Sequence, residues 1–307
     1  MLIHAPAPTT NPVALSYELH PPRSAEAAAN LATTISHLED TSPDYVAVTY
    51  GANGSNQDSA FELLSRLLRE TTIRPLAHLT CVGTPTGRLR GIVDELLDVG
   101  VRGILALRGD IPADASWPPD DGLRYATELV QLIRDVENQR TARLAGGRVS
   151  VGVAAYPTKH PESPTHSHDV EVLLAKQQAG ADFAITQVFF HPGQYVDLVA
   201  EARRAGVTIP IIPGVMPLTN ARRIGKLSEL AGVNPPTGLQ ARLDAATSQS
   251  ERLRIGVAAT VDLIRATLEA GAPGLHLYTF NHHVSALAVL DDLELPRPSR
   301  RAEPALA

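Results

Sequence analysis

Eight short runs of β-prone apolar residues recur along the chain. Each is followed by a stretch whose apolar residues return at helical spacing, and no other feature limits the fold as strongly. The runs cover residues 14–19, 45–50, 75–81, 104–107, 149–156, 183–190, 209–215 and 275–280. Between them stand Leu63, Leu64, Leu67 and Leu68, then Ile92, Leu96 and Leu97, then Leu129, Leu132 and Ile133, then Val170, Leu173 and Leu174, all spaced as one helix face. A strand–helix unit repeated eight times predicts an α/β fold, a (β/α)₈ TIM barrel with parallel strands and right-handed crossovers. No Gly-x-Gly-x-x-Gly follows any run, which leaves a dinucleotide-binding open sheet as the weaker architecture. The long gap after residue 215 calls for extra helices, broken at Pro235-Pro236 and closed by a long helix over 250–270. No shift in composition marks a second domain. The barrel is expected over residues 1–295, with a disordered or loosely held tail at 296–307.

Composition narrows the class. With 44% hydrophobic but only 4% aromatic residues, the core must be built from Val, Ile, Leu and Ala, as a helix-covered parallel sheet requires. A formal net charge of −6 provides no basic footprint for nucleic acid or an anionic membrane surface. The single cysteine, Cys81, excludes an intrachain disulfide framework and fits a reducing compartment. Residues 1–12 carry neither the charged nor the apolar part of a leader, and no run is long enough to span a bilayer, so a cytoplasmic protein is expected. No apolar excess on the helix faces announces an oligomer.

In such a barrel the chemistry lies where the strands end. The run 104–107 leads straight into Arg108-Gly109-Asp110, two opposite charges where a buried strand surfaces. Glu18, Thr49, Asn53, His78, Thr80, Tyr156, His160, Gln187, Tyr278, Thr279 and Asn281 fall at the other strand ends. Glu18 and Gln187 interrupt otherwise apolar strands. A carboxyl there resists ionisation, which makes it a proton donor near neutral pH. His160, His166 and His168 with Asp169 lack metal-ligand spacing, and no metal is expected. There is no Gly-x-Ser-x-Gly, and Cys81 reads as a small buried hydrophobe.

Seven segments then carry a resemblance. Ser16-Tyr17-Glu18-Leu19-His20-Pro21-Pro22, Val48-Thr49-Tyr50-Gly51-Ala52-Asn53-Gly54, Ala77-His78-Leu79-Thr80-Cys81, Ala106-Leu107-Arg108-Gly109-Asp110-Ile111-Pro112, Ala154-Ala155-Tyr156-Pro157, Ile185-Thr186-Gln187-Val188-Phe189-Phe190 and Leu277-Tyr278-Thr279-Phe280-Asn281 resemble, in order, the signature segments of the 5,10-methylenetetrahydrofolate reductase family. The resemblance implies NADH- or NADPH-dependent reduction of 5,10-methylenetetrahydrofolate to 5-methyltetrahydrofolate, in most members with FAD as the carrier between donor and folate. It implies Glu18 as general acid, Asp110 as the carboxylate that binds the pterin, and Gln187 as an amide on the folate. It places Thr49, His78, Arg108, Gly109, Tyr125, Ala126, Tyr156, His160, Asp169 and Lys176 at FAD contacts, and Leu227, Tyr278 and His282 with Gln187 at the substrate.

Departures from the family pattern bear on the flavin. In the helix expected over 169–179, Val172 and Ala175 stand where the family has an amide and a basic residue. The loop after Asp110 is longer and carries Trp117-Pro118-Pro119-Asp120-Asp121. Leu227 replaces a stacking Phe, and His282 replaces an Arg that faces the folate tail. A flavin-free branch of the family exists, so the sequence leaves open whether FAD is kept and which nicotinamide donor is used. A non-catalytic folate- or flavin-binding barrel and a related flavin-linked barrel dehydrogenase remain as alternatives.

Overall fold

The computed structural model describes residues 13–49, 57–111, 121–140, 147–293 and 295. In chain order the elements are β1 (Ala14–Leu19), α1 (Ala25–Glu39), β2 (Tyr45–Val48), α2 (Gln57–Glu70), β3 (Pro75–Thr80), α3 (Thr86–Asp98), β4 (Gly103–Leu107), α4 (Ala126–Arg140), β5 (Ser150–Ala155) and α5 (His166–Gln178). Then follow β6 (Phe183–Thr186), α6 (Pro192–Arg204), β7 (Ile211–Ile212), β8 (Gly214–Val215), α7 (Ala221–Ala231), α8 (Leu239–Ala245), α9 (Gln249–Glu269), β9 (Gly274–Tyr278) and α10 (His283–Leu293). All strand pairs are parallel, in the order β7-β6-β5-β4-β3-β2-β1-β9-β8. The two ends of that order are one run of chain, 211–215, split at Pro213. The sheet is therefore the expected eight-membered α/β barrel, its seventh strand divided between two neighbours.

Pro213 has no N–H to donate, so the run cannot ladder evenly to both sides. Its carbonyl still accepts from His276 N at 3.0 Å, and the next N–H, of Gly214, turns to the Thr186 hydroxyl at 2.9 Å. The Tyr278 hydroxyl donates to Thr186 O at 2.8 Å across the same gap. A Cβ on Gly214 would stand 2.3 Å from Thr186 O and 2.7 Å from the Tyr278 ring, so closure leaves room only for hydrogen.

Strand alternation sorts the side chains. Tyr17, Leu19, Val46, Val48, Ala77, Leu79, Ile104, Ala106, Val151 and Val153 face outward and are buried under the helices. Each helix answers with one stripe: α3 buries Leu89, Ile92, Val93, Leu96 and Leu97, each worth roughly 1.5–3 kcal/mol when fully covered. The inward set plugs the barrel below its mouth with Ala47, Leu76, Leu105 and Ile185, against which Tyr45, Leu107 and Phe183 pack. A third cluster, Val188, Phe190, Met216, Leu218, Ile224, Val233, Leu239 and Leu243, lies beneath α7 and α8.

Several boundaries differ from the sequence reading. The sixth run ends as strand at Thr186, because the Gln187 side-chain oxygen takes the Val188 N–H and the chain turns into the cluster under α7. The third ends at Thr80, where Cys81 N–H is shared by the carbonyls of Leu107 and Arg108. The helix expected from residue 169 begins at His166, started by the Thr165 hydroxyl accepting from His168 N. Pro235-Pro236 separates α7 from α8 as expected, and α9 fills the long gap. Tyr50, Asn53, the acidic loop through Asp120 and the tail at 296–307 lie outside the described residues. Among the described residues no helix is long and apolar enough to cross a membrane.

The closure predicts a cost. Gly214→Ala should lower the unfolding free energy by roughly 1–3 kcal/mol through overpacking at Thr186 and Tyr278. A leftward shift of the urea midpoint at unchanged slope would show it, whereas a superimposable curve would contradict the tight closure.

Candidate active site

The barrel mouth opens into a cavity of about 1070 Å³. Its walls carry Glu18, Thr49, His78, Arg108, Gly109, Asp110, Tyr125, Ala126, Tyr156, His160, Asp169, Lys176, Gln187, Leu227 and Tyr278, so all but one of the positions for which the resemblance implies a role meet here, whereas the strand-end candidates Thr279 and Asn281 do not line it. The exception is His282. It is exposed on the turn before α10, its backbone N–H donating to Thr279 O at 3.0 Å, and it does not line the cavity. The volume exceeds that of an ordinary drug-sized pocket and suits two ring systems together.

Glu18 is the electrostatic centre. Inward on β1, its carboxyl is 13% exposed, and burial pushes its pKa up to about 8. Two imidazoles flank it: His20 Nε2 is 3.6 Å from Oε1 and His78 Nε2 is 3.7 Å from Oε2. Burial drives His78 down to about 3, the nearby His20 adding to the effect, and its Nε2 has no hydrogen-bond partner. Below it, His276 is also held neutral by burial, at about 3, with its Nδ1 2.9 Å from the Ser16 hydroxyl. Near neutral pH no charge pair forms. A neutral acid stands between neutral bases.

At the far wall, Gly109 turns β4 out of the barrel at φ +88°, where a Cβ would also lie 3.1 Å from Thr80. That turn leaves Asp110 exposed at the cavity rim. Arg108 is committed: its guanidinium grips Glu162 at 2.6 and 2.9 Å, and the carboxylate beside it raises its pKa. Lys176 is no solvent-facing helix lysine. It is buried, donates from Nζ to Ala154 O at 2.8 Å, and burial lowers its pKa to about 8. Asp169 accepts from His160 N at 2.9 Å and from the Ser163 hydroxyl, which folds the 160–163 loop over the first turn of α5. Tyr156 meets His160 edge-on at 4.7 Å.

Gln187 caps β6. With its Oε1 engaged by Val188 N at 2.8 Å, its amide NH₂ is left for the cavity. Tyr278 lines the wall with its ring, while its hydroxyl is occupied by Thr186 O. Leu227 on α7 covers the opposite side with Phe280.

Among the described residues the wall offers few charges to an FAD diphosphate. Its cations among the described residues are Arg108 and Lys176, against the carboxyls of Glu18, Asp110, Glu162 and Asp169. Arg108 is already bound by Glu162, Lys176 by a strand carbonyl, and Val172 and Ala175 present only hydrocarbon where α5 meets the cavity. For a diphosphate the described wall thus offers one buried ammonium, Lys176, and a guanidinium already paired.

Sequence reasoning passed over His20, Glu162, Phe280 and His276 as site residues. Strand alternation would have found His276 and Phe280, since both share the inward parity of Tyr278. The pairing of Glu162 with Arg108 spans 54 positions and leaves no local trace.

Comparison with known proteins bears on this arrangement. The family model described as methylenetetrahydrofolate reductase matches residues 4–294. The chain is 31% identical over 280 residues to the 5,10-methylenetetrahydrofolate reductase of Escherichia coli (strain K12), covering 91% of this chain and 90% of that one. It is 30% identical to the Pectobacterium carotovorum enzyme of the same name, covering 91% and 89%. It is 29% identical to methylenetetrahydrofolate reductase (NADH) 1 of Zea mays, covering 95% of this chain and 50% of the maize protein. Among solved structures, a dihydropteroate synthase from Stenotrophomonas maltophilia aligns at TM-score 0.51 and 13% identity over 92% of this chain and 91% of that one, which reflects the barrel alone.

The buried carboxyl predicts a stability signature. Between its ordinary value of 4.5 and about 8, Glu18 ionises in the unfolded chain but not in the folded one, so the wild type loses stability as pH rises through that window. Glu18→Gln removes the effect. Because each tenfold change in a proton equilibrium is worth roughly 1.4 kcal/mol, the variant should gain a few kcal/mol relative to wild type between about pH 5 and 8. Urea titrations at the two pH values check this, and parallel curves would mean that Glu18 ionises normally.

Proposed function

The chain belongs to the methylenetetrahydrofolate reductase family, and from that premise we propose that it reduces 5,10-methylenetetrahydrofolate to 5-methyltetrahydrofolate by direct hydride transfer from NADH or NADPH. The observation that carries this reading is the neutral Glu18 carboxyl at the foot of a cavity whose rim bears Asp110 and Gln187. The substrate's methylene carbon bridges two nitrogens and accepts hydride only after one C–N bond opens. Glu18 protonates a bridge nitrogen, that bond breaks, and the carbon left on the other nitrogen becomes an iminium. Hydride from the nicotinamide then adds to the carbon, leaving an N-methyl group, an oxidised nicotinamide and an ionised Glu18.

Each remaining group has a task in orientation. The pterin presents adjacent N–H donors on one edge, and the Asp110 carboxylate at the rim can accept both. The Gln187 amide NH₂ donates to a pterin acceptor. Leu227 and Phe280 supply the apolar face against which the rings stack. A site shared by nicotinamide and pterin matches the cavity's size and its poor provision for a second diphosphate carrier. A non-catalytic pterin-binding barrel, by contrast, has no use for a carboxyl held neutral at the cost of its own hydration.

Three measurements test the reading. Glu18→Gln should bind the folate while turnover drops by about 10²–10⁴, and wild-type turnover should fall as pH rises through about 8 and the acid ionises. Active protein, denatured and scanned near 450 nm, should release no flavin. Stoichiometric flavin would overturn the direct route, and nicotinamide oxidation without methylated folate would overturn the reaction.

A further inference from the structure

After each turnover Glu18 has lost its proton and lies under bound product, so the acid must be recharged from somewhere. His20 stands beside it and is not among the residues lining the cavity: its Nε2 is 3.6 Å from Glu18 Oε1, and its side chain is 41% exposed. A slight torsion or one bridging water spans that distance. The ring's other nitrogen is spoken for. Nδ1 lies 2.9 Å from the Thr49 hydroxyl, which fixes that edge of the ring. With Nδ1 held there, Nε2 is the nitrogen that faces Glu18.

The position of the ring is over-determined. Asn281 clamps the His20 backbone from both sides, accepting from its N–H at 2.8 Å and donating to its carbonyl at 2.9 Å. Phe280 stacks on the imidazole with centroids 6.0 Å apart, and the Arg223 guanidinium lies over the Phe280 ring at 4.1 Å from its centroid. Phe280 and Asn281 both adopt left-handed backbone, at φ +51° and +61°. Two consecutive non-glycine residues in that region store strain that the surrounding contacts must hold, a feature that clusters at working sites.

We infer that His20 is a proton relay that returns a proton from solvent to Glu18 by a route separate from the ligand cavity. The inference rests on the reading of Glu18 as the acid. In the step, protonated His20 breaks its Nε2–H bond as the Glu18 Oε1–H bond forms, and the ring is left neutral with its proton on Nδ1. Bulk water then reprotonates Nε2. One proton enters per cycle, matching the one consumed when the bridge nitrogen is protonated and its C–N bond opens. The direction is downhill: burial and the nearby Arg23 and Arg223 lower the His20 pKa, whereas Glu18 is raised. His78, the second imidazole on Glu18, has no partner for its Nε2 and is buried from solvent, so it does not serve this route.

The test follows hydride transfer by nicotinamide absorbance and proton uptake by an indicator dye, in one stopped-flow experiment at neutral pH. In His20→Ala the first turnover should stay within about twofold of wild type, because Glu18 is already protonated. Proton uptake and later turnovers should then lag by about tenfold or more, as expected when a positioned proton-transfer group is lost, and added imidazole should restore them. His20→Gln, which keeps a polar group beside Thr49 but carries no proton, should show the same lag. Proton uptake that keeps pace with hydride transfer in both variants would overturn the relay. So would equal loss of all turnovers, the first included, without imidazole rescue. Glu18→Gln run alongside separates the two ideas, since full turnover in that variant would remove the acid itself.

Discussion

Desolvation of one carboxyl governs the mouth of this barrel. Glu18 sits on a strand whose other inward neighbour, Ser16, is buried, and nothing cationic approaches it within the described residues. Two imidazoles replace the guanidinium or ammonium that a structural carboxylate would have. Both are held in the neutral form, His78 by burial and His20 by burial and neighbouring arginines. The result is a proton donor tuned for neutral pH by the withdrawal of water, without any opposing charge.

That tuning depends on barrel closure. Glu18 faces inward only because β1 keeps register with β2 and β9, pairing Glu18 with Ala47 on one side and Tyr278 on the other. The β9 side is held by a divided strand in which Pro213 interrupts the ladder and Thr186, Gly214 and Tyr278 make good the missing bond. A slip of one residue would turn Glu18 out under the helices and bring Tyr17 or Leu19 into the mouth. The same closure carries Phe280 and Asn281 over to His20, so the acid and the group beside it are placed by one seam.

The charges around the rest of the cavity satisfy one another. Arg108 with Glu162, and Asp169 with the 160–163 loop, form contacts complete without a ligand. Lys176 commits one of its three N–H donors to a β5 carbonyl and lies buried, against the usual behaviour of a helix lysine. Around this part of the cavity the described residues thus hold internal contacts or, at Val172 and Ala175, hydrocarbon. What remains open to a ligand is the acid, the rim carboxylate, the Gln187 amide and an apolar wall.

The alternation of apolar runs and helical stripes was enough to determine an eight-fold barrel, and strand-end position was enough to bring Glu18, His78, Asp110 and Gln187 to one rim, because inward parity and parallel direction are both local properties of a chain. Element ends at Thr186 and Thr80 were not legible, since they follow from a side chain capping its own strand and from the pairing of the next strand. Nor was the fate of His282, whose turn carries it outside the cavity although Tyr278, four residues earlier, lines it. The engagement of Arg108 by Glu162, the burial of Lys176 and the approach of His20 to Glu18 were decided by tertiary structure alone. Hydrogen bonding and desolvation depend on which surfaces meet, and residues tens or hundreds of positions apart meet only once the barrel has closed.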